Sequence, residues 1–182
     1  MSSLDNFQSR VVVTGLDADG RSAVLSDSAT GTRAPTPVAT LNDVWQADAL
    51  PTRVLADSTL NGAFDLAPPA AGVKVTVCAL PPDDEWKGSA EYEAALAAVG
   101  AGSSARDNAE VDGFHETDTV DVITMVSGEI VAVLETVEVV LRQGDTFVQR
   151  GTKHAWSNRS DGPAIFVMTM IPAVRGTEVE GS

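Results

Sequence analysis

Apolar residues along this chain come in short runs, most of them carrying β-branched side chains, between turn-forming clusters. Arg10 to Thr14 (Arg-Val-Val-Val-Thr) predicts a strand, Asp17 to Gly20 a turn, and Ser22 to Leu25 the returning strand. Residues 27 to 42, rich in Ser, Thr, Ala and Pro, predict an irregular connection, with a short strand over Val44 to Gln46. Residues 48 to 72 again have loop composition. Val73 to Leu80 alternates Val73, Val75 and Val77 on one face, the period-two signature of a strand, and Pro81-Pro82 ends it.

A helix is expected from about Asp84 to Val99, where Trp86, Tyr92, Leu96 and Val99 recur among alanines and Gly100 stands at the C-terminal cap position. Residues 100 to 113 form a Gly-, Ser- and Asp-containing lead-in. From Phe114 to Ala173 strands are expected at 120–126, 130–134, 137–141, 146–148 and 164–171. Short, regularly spaced strands over sixty residues predict an antiparallel sandwich or barrel, not a parallel α/β sheet.

Length and charge narrow the function classes. At 182 residues the chain is expected to form one domain. Twelve Lys and Arg against 26 Asp and Glu give a net charge of −14. That balance argues against a nucleic-acid partner, which needs basic patches to displace counterions, and against an anionic membrane surface. One cysteine, Cys78, excludes an intrachain disulfide and fits a small buried apolar residue within Val-Thr-Val-Cys-Ala-Leu. The first ten residues do not have the form of a signal peptide, and no apolar run approaches eighteen residues, so a cytoplasmic protein is expected.

The chemistry concentrates around the two histidines. If His115 starts a strand, alternation places His115, Thr117, Thr119 and Asp121 on one face and Glu116, Asp118 and Val120 on the other. Past the turn at Gly144-Asp145, His154, Trp156 and Asn158 share a second face. Two imidazoles and a carboxylate make a donor set suited to Zn, Fe, Mn or Ni.

The stretch from Gly113 to Asn158 resembles the two motifs of the cupin superfamily, small double-stranded β-helix barrels. The first family motif runs H-x-H, three or four residues, E, six residues, G; here the frame is His115-x-Thr117, three residues, Asp121, six residues, Gly128. Thr117 stands at the second His position and Asp121 at the Glu position. The second motif is matched from Gly144-Asp145 through Gln149-Arg150-Gly151-Thr152 to His154 and Asn158, without the family's Pro and one residue shorter. The resemblance covers about a third of the chain.

It implies an all-β jelly-roll barrel over residues 1–182, with N-terminal strands and loops at 1–80, one helix at 84–99 and the motif region at 113–173. It further implies a divalent metal held by His115 and His154, with Asp121 as third ligand or as a partner orienting a ligand. Asp121 and Thr117 are the candidate catalytic groups, and Thr119, Trp156, Asn158 and Trp45 the candidate substrate-pocket residues. The implied activity is metal-dependent chemistry on a small organic molecule, of lyase type (decarboxylation or dehydration). The alternatives are an Fe-dependent dioxygenase, a barrel that binds a small ligand without turnover, and, last, a storage barrel. A homodimer is expected, with the hairpin at 10–25 either joining the barrel sheet or crossing to a second subunit.

Overall fold

A computed structural model describes residues 4–86 and 114–176. Eleven strands are present among them: β1 (Arg10–Leu16), β2 (Ser22–Ala29), β3 (Thr32–Pro35), β4 (Thr40–Ala47), β5 (Val73–Leu80), β6 (Thr119–Ser127), β7 (Glu129–Leu134), β8 (Glu138–Arg142), β9 (Thr146–Gln149), β10 (His154–Ser157) and β11 (Ala164–Pro172). The only helical element among the described residues is a 3-10 turn, Asp83–Glu85. Most of the helix expected at 84–99 lies outside the described residues.

The strands form a six-stranded sheet ordered β3-β4-β5-β11-β6-β9 and a three-stranded sheet ordered β10-β7-β8. Their inward rows share one core. Leu41, Cys78, Ile123, Phe166 and Met168 come from the larger sheet, and Ile130, Ala132 and Leu141 from the smaller. Two facing antiparallel sheets around one core make this an all-β jelly-roll barrel. The alternation that defines each strand is visible in burial: Thr119, Asp121, Ile123 and Met125 of β6 are buried, while Thr124 and Val126 are exposed. Along β11, Ala164, Phe166, Met168 and Met170 face in.

Gly128 joins β6 to β7 with φ +71°, and a side chain there would stand 2.6 Å from the Pro163 carbonyl oxygen. A glycine is therefore required where the two sheets part company.

Three expectations change. Residues 27–42 are not irregular: they hold the end of β2, the whole of β3 and the start of β4. Pro35 is tolerated because it sits at the end of an edge strand, where its missing N–H costs no ladder bond. The 10–25 hairpin does not join the barrel sheet but forms a separate two-stranded sheet, β1-β2. Finally, β4 carries a register shift between Asp43 and Trp45, so Asp43 pairs with Thr76 and Trp45 with Val75. That extra residue turns Trp45 out of the barrel.

Candidate functional site

The inward side chains divide the barrel. Around Cys78, Phe166 and Leu141 the interior is apolar. Toward the start of β6 and the end of β9 it becomes polar.

His115 and His154 meet there. Their backbones exchange two hydrogen bonds, each 2.9 Å, so the segment ahead of β6 pairs with the edge of β10. The two rings lie 4.3 Å apart at 51°. The His154 ring is 2% exposed, and its Nδ1 is 2.9 Å from the Thr152 carbonyl oxygen. A carbonyl only accepts, so Nδ1 carries the proton and Nε2 keeps a lone pair. Burial, reinforced by the neighbouring His115 and opposed by the bond to Thr152, lowers the His154 pKa to about 4. The ring is neutral at pH 7.

Asp121 lies on the same inward row as Thr119, is 3% exposed, and pairs through its backbone with Gln149 on one side and Met170 on the other. Its Oδ1 is buried without a hydrogen-bond partner. Burial raises the Asp121 pKa above the usual carboxylate range, against the lowering effect of a hydrogen bond from Thr119. The Thr117 and Thr119 hydroxyls stand 2.7 Å apart. Gln149 donates from Nε2 to both the carbonyl and the hydroxyl of Thr152, so one residue receives both Gln149 and His154.

Gly151 makes this crossing possible. It has φ +66°, and a Cβ would come within 2.8 Å of the Thr117 carbonyl oxygen. Arg175 ties the same place from outside, reaching Asp118 (2.5 Å), the carbonyls of Thr117 (3.2 Å) and Gly151 (3.1 Å), and Glu116 at 3.6 Å.

Two expected pocket residues have other work. Asn158 is fully buried and its amide is consumed by backbone: Nδ2 donates to the Leu80 and Gly162 carbonyls, and Oδ1 accepts from the Ser160 amide and hydroxyl. It organises the turn after β10 and has no capacity left for a substrate. Trp45 lines an outer cavity of about 710 Å³ beneath the β1-β2 hairpin, with Val13, Leu25 and Leu55 among its neighbours. Trp156, by contrast, faces inward beside His154, its ring edge-on to both His154 and Phe147 and 6.1 Å from Phe166. It is a wall between the polar end and the core.

The interior also holds a pair that sequence reasoning missed. Lys74, 2% exposed, lies 3.5 Å from the Asp43 carboxylate, donates to the Asp65 carbonyl, and sits 5.9 Å from the centre of the Phe64 ring. Asp43 accepts from the Thr76 hydroxyl at 2.7 Å, and burial raises its pKa despite Thr76 and Lys74. Charged residues read as outward-facing in a strand. Only the alternation of Lys74 and Thr76 against Val73, Val75 and Val77 carried a hint of the inward row.

Among the described residues no group of three or more His, Cys, Asp or Glu side chains stands close enough to hold a metal ion. The His115 and His154 rings stand side by side, and Asp121 does not join them as a third member of such a group.

Residues 107–170 match the family model described as the cupin domain. The chain carries a cupin domain. Two relatives from Diaporthe leptostromiformis, phomopsin biosynthesis cluster proteins C' and D, are each 44% identical to it over 57 residues. That match covers 29% of this chain and spans 30% of the length of each relative. Solved structures similar to this cupin include a putative ethanolamine utilization protein EutQ from Salmonella typhimurium, 8% identical over 93% of this chain and 100% of that one, with a TM-score of 0.44. The cupin domain of Schizosaccharomyces pombe Cnp3 is 8% identical over 91% and 89%, with a TM-score of 0.45. KdgF from a Halomonas species is 10% identical over 79% and 87%, with a TM-score of 0.43. Cupin domains commonly bind metals. Among the described residues no helix is long and apolar enough to cross a membrane.

Proposed function

We propose that this cupin binds a small organic molecule at the polar end of its barrel and acts on it by proton transfer, in a lyase-type reaction such as dehydration. The observation that supports this reading is the Asp121 carboxylate, buried on the inward face with Oδ1 unpartnered. A buried acceptor left without a donor costs about 1–3 kcal/mol, so an oxygen kept in that state suits one that a ligand satisfies.

The division of labour follows from the two environments. Neutral His154, holding its Nδ1 proton against Thr152, presents Nε2 as the base that takes a proton from the substrate carbon. Asp121, whose burial favours the protonated form, gives its proton to the leaving hydroxyl, which departs as water. Burial favours the uncharged form of both groups, an imidazole able to accept a proton and a carboxyl able to give one, which is the pair that acid–base catalysis needs.

A metal-assisted form of this chemistry is a second reading, favoured by the His154 Nε2 lone pair beside the His115 ring. There His115 and His154 would hold Zn, Fe, Mn or Ni, which would supply polarisation of a substrate oxygen. The experiment is a panel of small hydroxy and keto acids, followed by formation of unsaturated product and release of CO2, with and without chelator. Turnover that survives chelation and is lost in Asp121→Asn supports the metal-free reading. Turnover lost on chelation and restored by one divalent ion supports the second. Turnover unchanged in Asp121→Asn overturns the role of Asp121. A homodimer acting in the cytoplasm remains the proposed setting.

A further inference from the structure

We infer that Arg175 is a positioning residue for His154: its guanidinium joins the segment that carries His115 to the one that carries His154, and so keeps the buried imidazole shut away from water. The inference rests on the reading of His154 as the base. Among the described residues, the chain ahead of β6 meets β10 through a single residue pair, His115 with His154, held by two backbone hydrogen bonds. One pair is not a ladder, so the junction depends on what else crosses it. β11 ends at Pro172, opposite Thr119, and the Ala173 amide donates to the Asp118 carbonyl, which delivers Arg175 to that junction.

What crosses it is the guanidinium. Its Nη2 lies 3.2 Å from the Thr117 carbonyl oxygen and 3.1 Å from that of Gly151. The two backbones run so close there that a Cβ on Gly151 would stand 2.8 Å from the Thr117 oxygen. A carbonyl cannot bond a carbonyl, so tying these segments together needs a donor from outside, and Nη2 has two protons, one for each. Nε donates to Asp118, and Nη1 lies 3.6 Å from Glu116. Glu116 and Asp118 thus anchor the fork on the His115 segment. Without it, two like charges stand close together on a chain whose net charge is −14. On the other side Gly151 leads directly to Thr152, whose carbonyl takes the His154 Nδ1 proton and fixes which nitrogen is left to act. The line of contact runs from Arg175 through Gly151 and Thr152 to the imidazole. A lysine would keep the charge but not the planar fork that meets both carbonyls and a carboxylate at once.

The test is the rate at which diethyl pyrocarbonate modifies His154 at pH 7, resolved from His115 by peptide mass spectrometry, with maleimide labelling of Cys78 followed in parallel. The reagent attacks a neutral imidazole that solvent reaches, and His154 is 2% exposed. Arg175→Gln should speed modification of His154 at least about tenfold while Cys78, in the core, stays as slow as in the native protein, the mark of a local opening and not of global unfolding. Arg175→Lys should not restore the native rate. Arg142→Gln, which removes another exposed ion pair, the one with Glu129, should leave the native rate unchanged. The inference is overturned if His154 reacts at the native rate in Arg175→Gln, if Cys78 labelling rises in step with it, if Arg175→Lys restores the native rate, or if Arg142→Gln has the same effect as Arg175→Gln. Labelling requires no substrate, so each of these outcomes leaves the reading of His154 as base standing. Faster modification in Arg175→Gln together with turnover unchanged in His154→Gln supports the clamp and overturns that reading instead.

Discussion

Acidification should remove the stability that His154 contributes to this barrel. The ring is 2% exposed, and its pKa falls from 6.5 to about 4 because burial and the neighbouring His115 disfavour the charged form. In the unfolded chain the imidazole regains its ordinary value, so between pH 6.5 and 4 the unfolded state binds the proton and the folded state does not. Stability contributed by the neutral ring is present in full above pH 6.5 and is lost as pH falls toward 4. At about 1.36 kcal/mol per pKa unit, the loss is about 1 kcal/mol at pH 5.5 and about 3 kcal/mol near pH 4. Asp43 and Asp121 act in the opposite sense. Their raised values make them stabilising when protonated, and that contribution is lost as pH rises through their folded values. The effect of His154 is therefore read as a difference. Urea unfolding of the native protein and of His154→Gln, at pH 7, 5.5 and 4, gives two stability curves whose gap should narrow by about 3 kcal/mol from pH 7 to 4. A gap that stays constant, or widens on acidification, would refute the assignment of a buried neutral imidazole.

Asn158→Ala should cost about 1–3 kcal/mol in urea unfolding, because it takes a fully buried amide from the Leu80 and Gly162 carbonyls and the Ser160 amide of a half-exposed turn. Gly128→Ala should destabilise by at least about 2 kcal/mol, combining the positive φ with a 2.6 Å approach to the Pro163 carbonyl oxygen. Cys78, buried in the core with its thiol pKa pushed up, should react with a maleimide only at the rate of unfolding in urea, and rapid labelling of native protein would contradict its placement.

Much of the barrel could be read from period-two alternation, because one face of each strand of β6 and β11 is buried and the other is not. The same rule put Thr119 and Asp121 on one face, and the resemblance to the cupin motifs, not alternation, implied that His154 stands near His115. It failed where backbone irregularity or hydrogen bonding intervened. Trp45 left the interior because of one extra residue in β4, a shift that leaves no mark in composition. Asn158 was mistaken for a pocket residue because an amide that caps a turn and one that meets a ligand are the same in sequence. β3 was hidden by its Thr, Ala and Pro content, which an edge strand tolerates and a central one does not. Asp43 and Lys74 escaped notice because they lie 31 residues apart in sequence, and a strand charge ordinarily faces water; only sheet pairing joins them.

The proton-transfer role of Asp121 and His154 is tested most directly by solvent exchange. The native protein, chelator-treated and in D2O, is incubated with hydroxylated sugar acids and small hydroxy acids, and proton NMR follows loss of the signal from the carbon beside the carboxylate. The expected result is exchange into at least one compound by the native protein, lowered at least a hundredfold in His154→Gln, which removes the base, while Asp121→Asn, which removes the acid, loses the dehydrated product at least a hundredfold. Exchange that proceeds unchanged in both variants, or none with any compound in the native protein, would contradict it.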